Sequence, residues 1–128
     1  MRNIVLILCL LCFQFIALWA QKFEPVDSQS EIKFEIRNFG LAVEGMFSGL
    51  KGEVNWNQIQ LNKSAIDVTV DAACVNTGID LRDRHLKKAE FFHVGVYKLI
   101  RFQSSEISSA SDNTWKARGR LVLKGKSL

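Results

Sequence analysis

His85 and His93, with Asp83 and Glu90 close by in the chain, are the residue types that hold a divalent metal. Zinc sites gather their ligands at tight spacings, and Cys74 lies ten or more residues from either histidine, so no ligand pattern forms. The expectation is a helix-face histidine and a loop histidine, each making hydrogen bonds, and no metal. A nucleophilic site needs a serine or cysteine matched to a base and an orienting acid, and no GxSxG elbow occurs. Asp67 and Asp71 fall on one face of an alternating stretch, which makes them solvated outer-face charges rather than an acid/base pair. Cys9 and Cys12 have CxxC spacing inside an apolar leader, a chance match rather than a redox motif. The chain is therefore read as a non-enzyme without cofactors, and its chemistry is sought in binding.

The leader itself, "MRNIVLILCLLCFQFIALWAQ", places Arg2 before an apolar run that ends in Ala20, the pattern of a cleaved secretory signal. Removal of residues 1–20 leaves a domain over 21–128 with one cysteine, Cys74, so no internal disulfide is expected and packing must stabilise the fold. The formal charge of +4 falls to +3 with the loss of Arg2, too mild a surplus to name a partner. An apolar content of 48% with 23% charged residues is that of one globular domain.

The elements that position any site alternate like strands. In "EIKFEIRNF", Ile32, Phe34 and Ile36 oppose Glu31, Lys33, Glu35 and Arg37. In "GLAVEGMFSGLKGEVNW", Val43, Phe47, Leu50, Val54 and Trp56 are separated by glycines that favour bends. "SAIDVTVDAACV" reads as one tall strand, with Ile66, Val68, Val70 and Ala72 on one side. "TGIDLRDRHLKKAEFF" breaks the period and reads as a short amphipathic helix, with Asp80 or Asp83 as its cap and Leu81, His85, Leu86 and Ala89 near one face. Strands resume in "LIRFQSSEI" and, after a turn-like "SSASDN", in "TWKARGRLVLKGK". About six strands and one helical insertion result.

Lys116, Arg118, Arg120, Lys124 and Lys126 fall opposite Trp115 as a basic ribbon. A solvated barrel exterior explains it better than nucleic acid, since aromatics are not interleaved and the leader implies export; peripheral contact with an anionic membrane is the remaining use. The inner face is the richer signal. Phe34, Phe39, Phe47 and Trp56, then Phe91, Phe92, Phe102 and Trp115, join many aliphatics. Such residues either fill a barrel or line its lumen, and composition does not separate the two.

The order "SEIKFEIRNFG", "VEGMFSGLKGEV", "AIDVTVDAACVNTGIDLRDRHLKKAEFFHV", "YKLIRFQSSEI", "RGRLVLKG" resembles the YceI-like, or polyisoprenoid-binding, family across Ser30 to Gly125. The resemblance implies an all-β fold, an extended lipocalin-like antiparallel β-barrel with one short helix inserted around residues 80–90. It also implies a periplasmic or secreted carrier of an isoprenoid quinone, prenyl phosphate or fatty-acid-like ligand, with no catalytic residues. Arg82 and Asp83 match the family's RD pair and are assigned to capping and local ion pairing. Tyr97 is followed by Lys98 where the family has proline, which alters only a turn. The pattern stops at "LKGKSL" where the family continues, so the C-terminal strands are expected to be missing and the barrel incomplete.

The lumen is then expected to be lined by Phe34, Ile36, Phe47, Trp56, Val68 and Val70 from the first strands. Leu86, Phe91, Phe92, Phe102, Trp115 and Leu121 complete it. Leu81, Leu86 and Phe92 of the helical insertion should turn inward, and Arg82, Arg84, Lys87 and Lys88 are the candidates for a headgroup. The alternative is a ligand-free structural or interaction barrel whose core is filled by its own aromatics.

Overall fold

Residues 21–38 and 40–128 are described by a computed structural model. The expected leader, with Cys9 and Cys12, and the expected core residue Phe39 lie outside them. Among the described residues nine strands run in the order β1 (Gln21–Phe23), β2 (Ile32–Asn38), β3 (Leu41–Phe47), β4 (Lys51–Trp56), β5 (Ala65–Asp71), β6 (Val75–Asn76), β7 (Leu99–Ser111), β8 (Thr114–Leu123) and β9 (Lys126–Ser127). The α-helix α1 (Asp80–Leu86) interrupts them. The strands form a six-stranded sheet, β1-β4-β5-β7-β8-β9, and a three-stranded sheet, β2-β3-β6, antiparallel throughout. This is the expected all-β architecture, with the barrel wall not closed among the described residues.

The large sheet curls hard. β4 and β8 are three strand spacings apart, about 14 Å on a flat sheet, yet the rings of Trp56 and Trp115 meet edge-on with centroids 4.9 Å apart. Part of the bend comes from β7, whose register against β8 slips between Ser104 and Glu106, leaving Ser105 as an extra residue. Gly119 sits opposite Ser104 at that slip, and a Cβ there would lie 2.0 Å from the Gln103 carbonyl oxygen. Close backbone approach at the bulge therefore demands glycine.

On the outer face, Glu53 of β4 lies directly opposite Asp67 of β5, two like charges side by side. Cations flank both. Lys22 Nζ lies 2.6 Å from Glu53, and Arg101 donates to both Asp67 oxygens, at 2.8 and 2.6 Å, with Gln103 Nε2 adding a third bond at 3.0 Å. The Arg101 hydrogen bond holds the Asp67 carboxyl below its ordinary range.

The core gathers where the small sheet and α1 meet the large sheet. Phe47, Val70, Val75 and Leu86 are buried, and Ile32, Phe34, Leu50, Phe92 and Ile100 pack on them. Phe34, Phe47 and Phe92 form a triangle with centroids 5.2, 6.4 and 5.5 Å apart. The Phe34 ring lies over Gly45, its register partner on β3, in the space a Cβ would fill.

Four local expectations differ from the structure. The stretch from Ser64 to Val75 is not one strand: the Asp71 carboxylate accepts the Ala73 N–H at 2.8 Å and turns the chain through a 3-10 segment before β6. Residues 21–23, which lie outside every alternating run, form β1, which pairs with β4. β7 continues through Ser111, so the turn narrows to Asp112 and Asn113, the latter in the left-handed region at φ 56°. Finally, Leu81 is 71% exposed while Leu86 is 6% exposed. Five positions on a helix of about 3.6 residues per turn lie about 140° apart, so the two cannot share an inward face.

Candidate ligand-binding site

The helix α1 is anchored through Thr77, Arg82 and Asp83. Asp83 Oδ1 accepts the Thr77 backbone N–H at 2.9 Å and the Thr77 hydroxyl at 2.5 Å. Arg82 donates from Nε to the same hydroxyl oxygen at 2.8 Å and from a terminal nitrogen to the Thr77 carbonyl at 2.7 Å. Neither Asp80 nor Asp83 caps α1, whose N-cap is Ile79 without a side-chain bond. The Arg82–Asp83 pair instead clamps α1 to the strand exit at Thr77. Leu86 and Phe92 are thereby held on the core, and the Phe92 N–H closes the following turn on the Leu86 carbonyl at 2.9 Å.

The inner surface holds two apolar spaces. A depression of about 460 Å³ is lined by Ile36 of β2, Leu86 of α1, Phe91, Phe92 and Tyr97 after it, Leu123 at the end of β8, and Lys124, Lys126 and Leu128 beyond it. It lies within the usual ~300–1,000 Å³ of ligand pockets and has their pattern of apolar walls with a few polar groups. A smaller void of about 70 Å³ lies between Ile32, Leu50, Val68, Thr69, Val70, Ile100, Phe102 and Leu121. The filled core stands beside them, with Phe47 and Val70 among its buried members.

The twelve expected lumen residues thus divide. Ile36, Leu86, Phe91 and Phe92 line the larger depression. Val68, Val70, Phe102 and Leu121 line the smaller void. Phe34 and Phe47 are packed aromatic filling, and Trp56 and Trp115 meet each other edge-on, with Trp115 47% exposed. The basic candidates cluster elsewhere: Arg84 and Lys87 border a polar depression of about 400 Å³ with Cys74, Asn76, Asp80 and Asp83, and Arg82 is engaged with Thr77. Lys88 is exposed on α1's trailing turn.

The lysines at the apolar depression are instead Lys124 and Lys126. Strict alternation assigns both to the outer basic ribbon, but Lys124 adopts φ 50° and Gly125 φ 71°, and this turn resets the period. Lys124 Nζ donates to the Ala89 carbonyl at 2.6 Å, tying the β8–β9 turn to the helical insertion. Tyr97, over whose ring Gly125 packs, completes the corner. The Lys-Gly pair was the only sequence signal for this turn.

His85 and His93 serve as aromatic partners, edge-on to Phe91 at 5.1 Å and to Tyr97 at 5.7 Å. Among the described residues, no group of three or more His, Cys, Asp and Glu side chains is placed to hold a metal ion. Cys74 is free and exposed.

With this geometry in place, the comparisons with known proteins fall on one family: the YceI-like domain matches residues 23–128. The chain belongs to the YceI-like family. A UPF0312 protein of Serratia proteamaculans is 30% identical over 104 residues, 78% of this chain and 54% of that protein. A UPF0312 protein of Vibrio cholerae is 24% identical over 101 residues, 78% of this chain and 53% of that protein. The chain thus spans about half the length of these curated relatives. Among solved structures, BcnA of Burkholderia cenocepacia superposes with a TM-score of 0.63 at 22% identity, over 75% of this chain and 60% of that one. The Campylobacter jejuni YCEI protein superposes with a TM-score of 0.59 at 23% identity, over 84% of this chain and 64% of that one. These two likenesses establish the YceI-like fold.

Proposed function

We propose that this YceI-like protein is a non-enzymatic carrier that holds the hydrocarbon tail of a long isoprenoid or acyl-chain amphiphile after export to the periplasm. The observation that carries the reading is the apolar depression framed by Ile36, Leu86, Phe91, Phe92 and Leu123. Each methylene buried there contributes about 0.8 kcal/mol before the cost of ordering the tail. A greasy wall discriminates weakly between chains, so selection falls to the polar rim, where Tyr97, Lys124 and Lys126 stand.

A second reading has its own support. The Phe34, Phe47 and Phe92 triangle fills one end of the interior as a barrel with a self-filled core would. Titration with dansyl-undecanoic acid separates the two. The carrier reading expects saturable enhancement of dansyl emission, displaced by farnesyl phosphate and lost in Phe92→Asp with the fold checked by circular dichroism. Absence of saturable binding to a folded chain supports the self-filled barrel.

A further inference from the structure

The outer face of the β7–β8 hairpin carries positive charge that its own neighbours do not balance. Lys116, Arg118 and Arg120 are exposed on β8, and their register partners on β7 are Ser108, Glu106 and Gln103. Glu106 lies 3.5 Å from Arg118, an exposed pair of the kind that contributes little. Among the described residues neither Lys116 nor Arg120 has a carboxylate within ion-pair distance. Elsewhere on the same face Glu53 answers Lys22 and Asp67 answers Arg101. The facing of the three cations is set by the strand pleat and the β7 register. Ala117, Gly119 and Leu121 alternate with them toward the inside, where Ile107, the partner of Ala117, is buried. A strand added at an edge extends a sheet without turning its side chains to the other face.

Alternate residues of a strand stand about 6.6 Å apart, inside the ~8 Å screening length of physiological salt, so the three cations repel one another. A partner that supplies diffuse negative charge relieves that repulsion. The face also excludes kinds of partner. Its outward residues beside the cations are Ser108, Glu106 and Gln103, with no aromatic or aliphatic side chain among them. A protein partner would find no apolar anchor there, and single-stranded nucleic acid no ring to stack on. An anionic bilayer surface requires neither. Arg120 stands four residues before Lys124, which with Lys126 borders the apolar depression, so the cations lead along β8 to its rim.

We propose that the outer face of the β7–β8 hairpin docks on an anionic membrane surface through Lys116, Arg118 and Arg120, placing the rim of the depression beside the lipid headgroups. The choice of a bilayer over a nucleic-acid duplex rests on the carrier reading, because a carrier must meet the surface that supplies its amphiphile. Each cation held near an anionic bilayer strengthens binding about fivefold, and three together about a hundredfold.

Cosedimentation with vesicles of the protein purified from its own cells tests it, comparing phosphatidylglycerol mixed with phosphatidylcholine against phosphatidylcholine alone. Binding should require phosphatidylglycerol and fall steeply as salt is raised. Joint replacement Lys116→Gln, Arg118→Gln and Arg120→Gln should lower the affinity about a hundredfold. Lys51→Gln, which removes an exposed cation from β4, should leave it unchanged. Circular dichroism and titration with dansyl-undecanoic acid verify that the triple variant is folded and keeps its depression. Equal binding to both kinds of vesicle, no binding to either, or a triple variant that binds like the wild type overturns the proposal. A DNA duplex bound as tightly as the anionic vesicles overturns it equally. The docking and the carrier reading fail separately: uptake of the dansyl ligand without vesicle binding removes the docking alone, and vesicle binding without uptake removes the carrier alone.

Discussion

Replacing Thr77 by valine removes one hydroxyl and keeps the β-branched shape, so it isolates the clamp between α1 and the strand exit. The hydroxyl donates to Asp83 and accepts from Arg82, so two hydrogen bonds to charged groups are lost together. Each charged partner retains one bond to the Thr77 backbone, Asp83 to its N–H and Arg82 to its carbonyl. Hydrogen bonds to charged groups contribute about 1.5–3 kcal/mol when one partner is deleted. All three residues are half-buried, so neither the full value for both bonds nor zero is expected. A loss of about 2 kcal/mol follows, or a fall in melting temperature of roughly 10 °C for a domain of this size. Urea unfolding followed by tryptophan fluorescence measures it, and Thr77→Ser should recover most of the loss. A valine variant within about 0.5 kcal/mol of wild type would refute the assignment of Arg82 and Asp83 as a structural clamp and return Arg82 to the headgroup candidates.

Three further outcomes are expected. Leu86→Ala removes a 6% exposed side chain shared by the core and the depression, and should cost about 2–5 kcal/mol by denaturant unfolding while weakening dansyl-undecanoic acid binding. The Asp67 carboxyl, whose folded pKa is depressed by the Arg101 hydrogen bond, contributes stability that is fully present above its unfolded value near ~4 and is lost as pH falls through the lower folded value. Urea midpoints from neutral pH to below ~3 should fall less in Asp67→Asn than in the wild type; parallel curves would contradict the linkage. Gly119→Val forces a side chain into the Gln103 carbonyl at the β7 bulge, and should disrupt the β7–β8 pairing enough to leave little soluble folded protein, whereas the exposed Ala110→Val in the same hairpin should express normally.

The strands were legible because a wall wet on one side writes itself as period-two alternation, as in Ile32, Phe34 and Ile36 against Lys33 and Glu35. α1 was legible for the complementary reason, a loss of that period between Thr77 and Phe92. What escaped was decided by single side chains or by tertiary pairing. Ala72 continues the apolar rhythm of β5, and nothing in the pattern announces that the Asp71 carboxylate captures the next turn. Gln21–Phe23 is too short to show a period and becomes a strand only because β4 offers it an edge. The apolar lining was partly legible: Ile36, Leu86, Phe91 and Phe92 stand out as apolar positions of an alternating strand and an amphipathic insertion, although Ile36 and Phe91 are 44% and 43% exposed. Its lysines were not, because a turn at Lys124 and Gly125 redirects two residues that alternation assigns to the exterior.

Native mass spectrometry of the protein purified without detergent from its own cells tests the carrier reading most directly. The account predicts a population heavier than the polypeptide by the mass of one lipid, released into organic solvent and much reduced in Phe92→Asp. A folded protein that carries no lipid mass, and takes up none from an extract of the same cells, would contradict it.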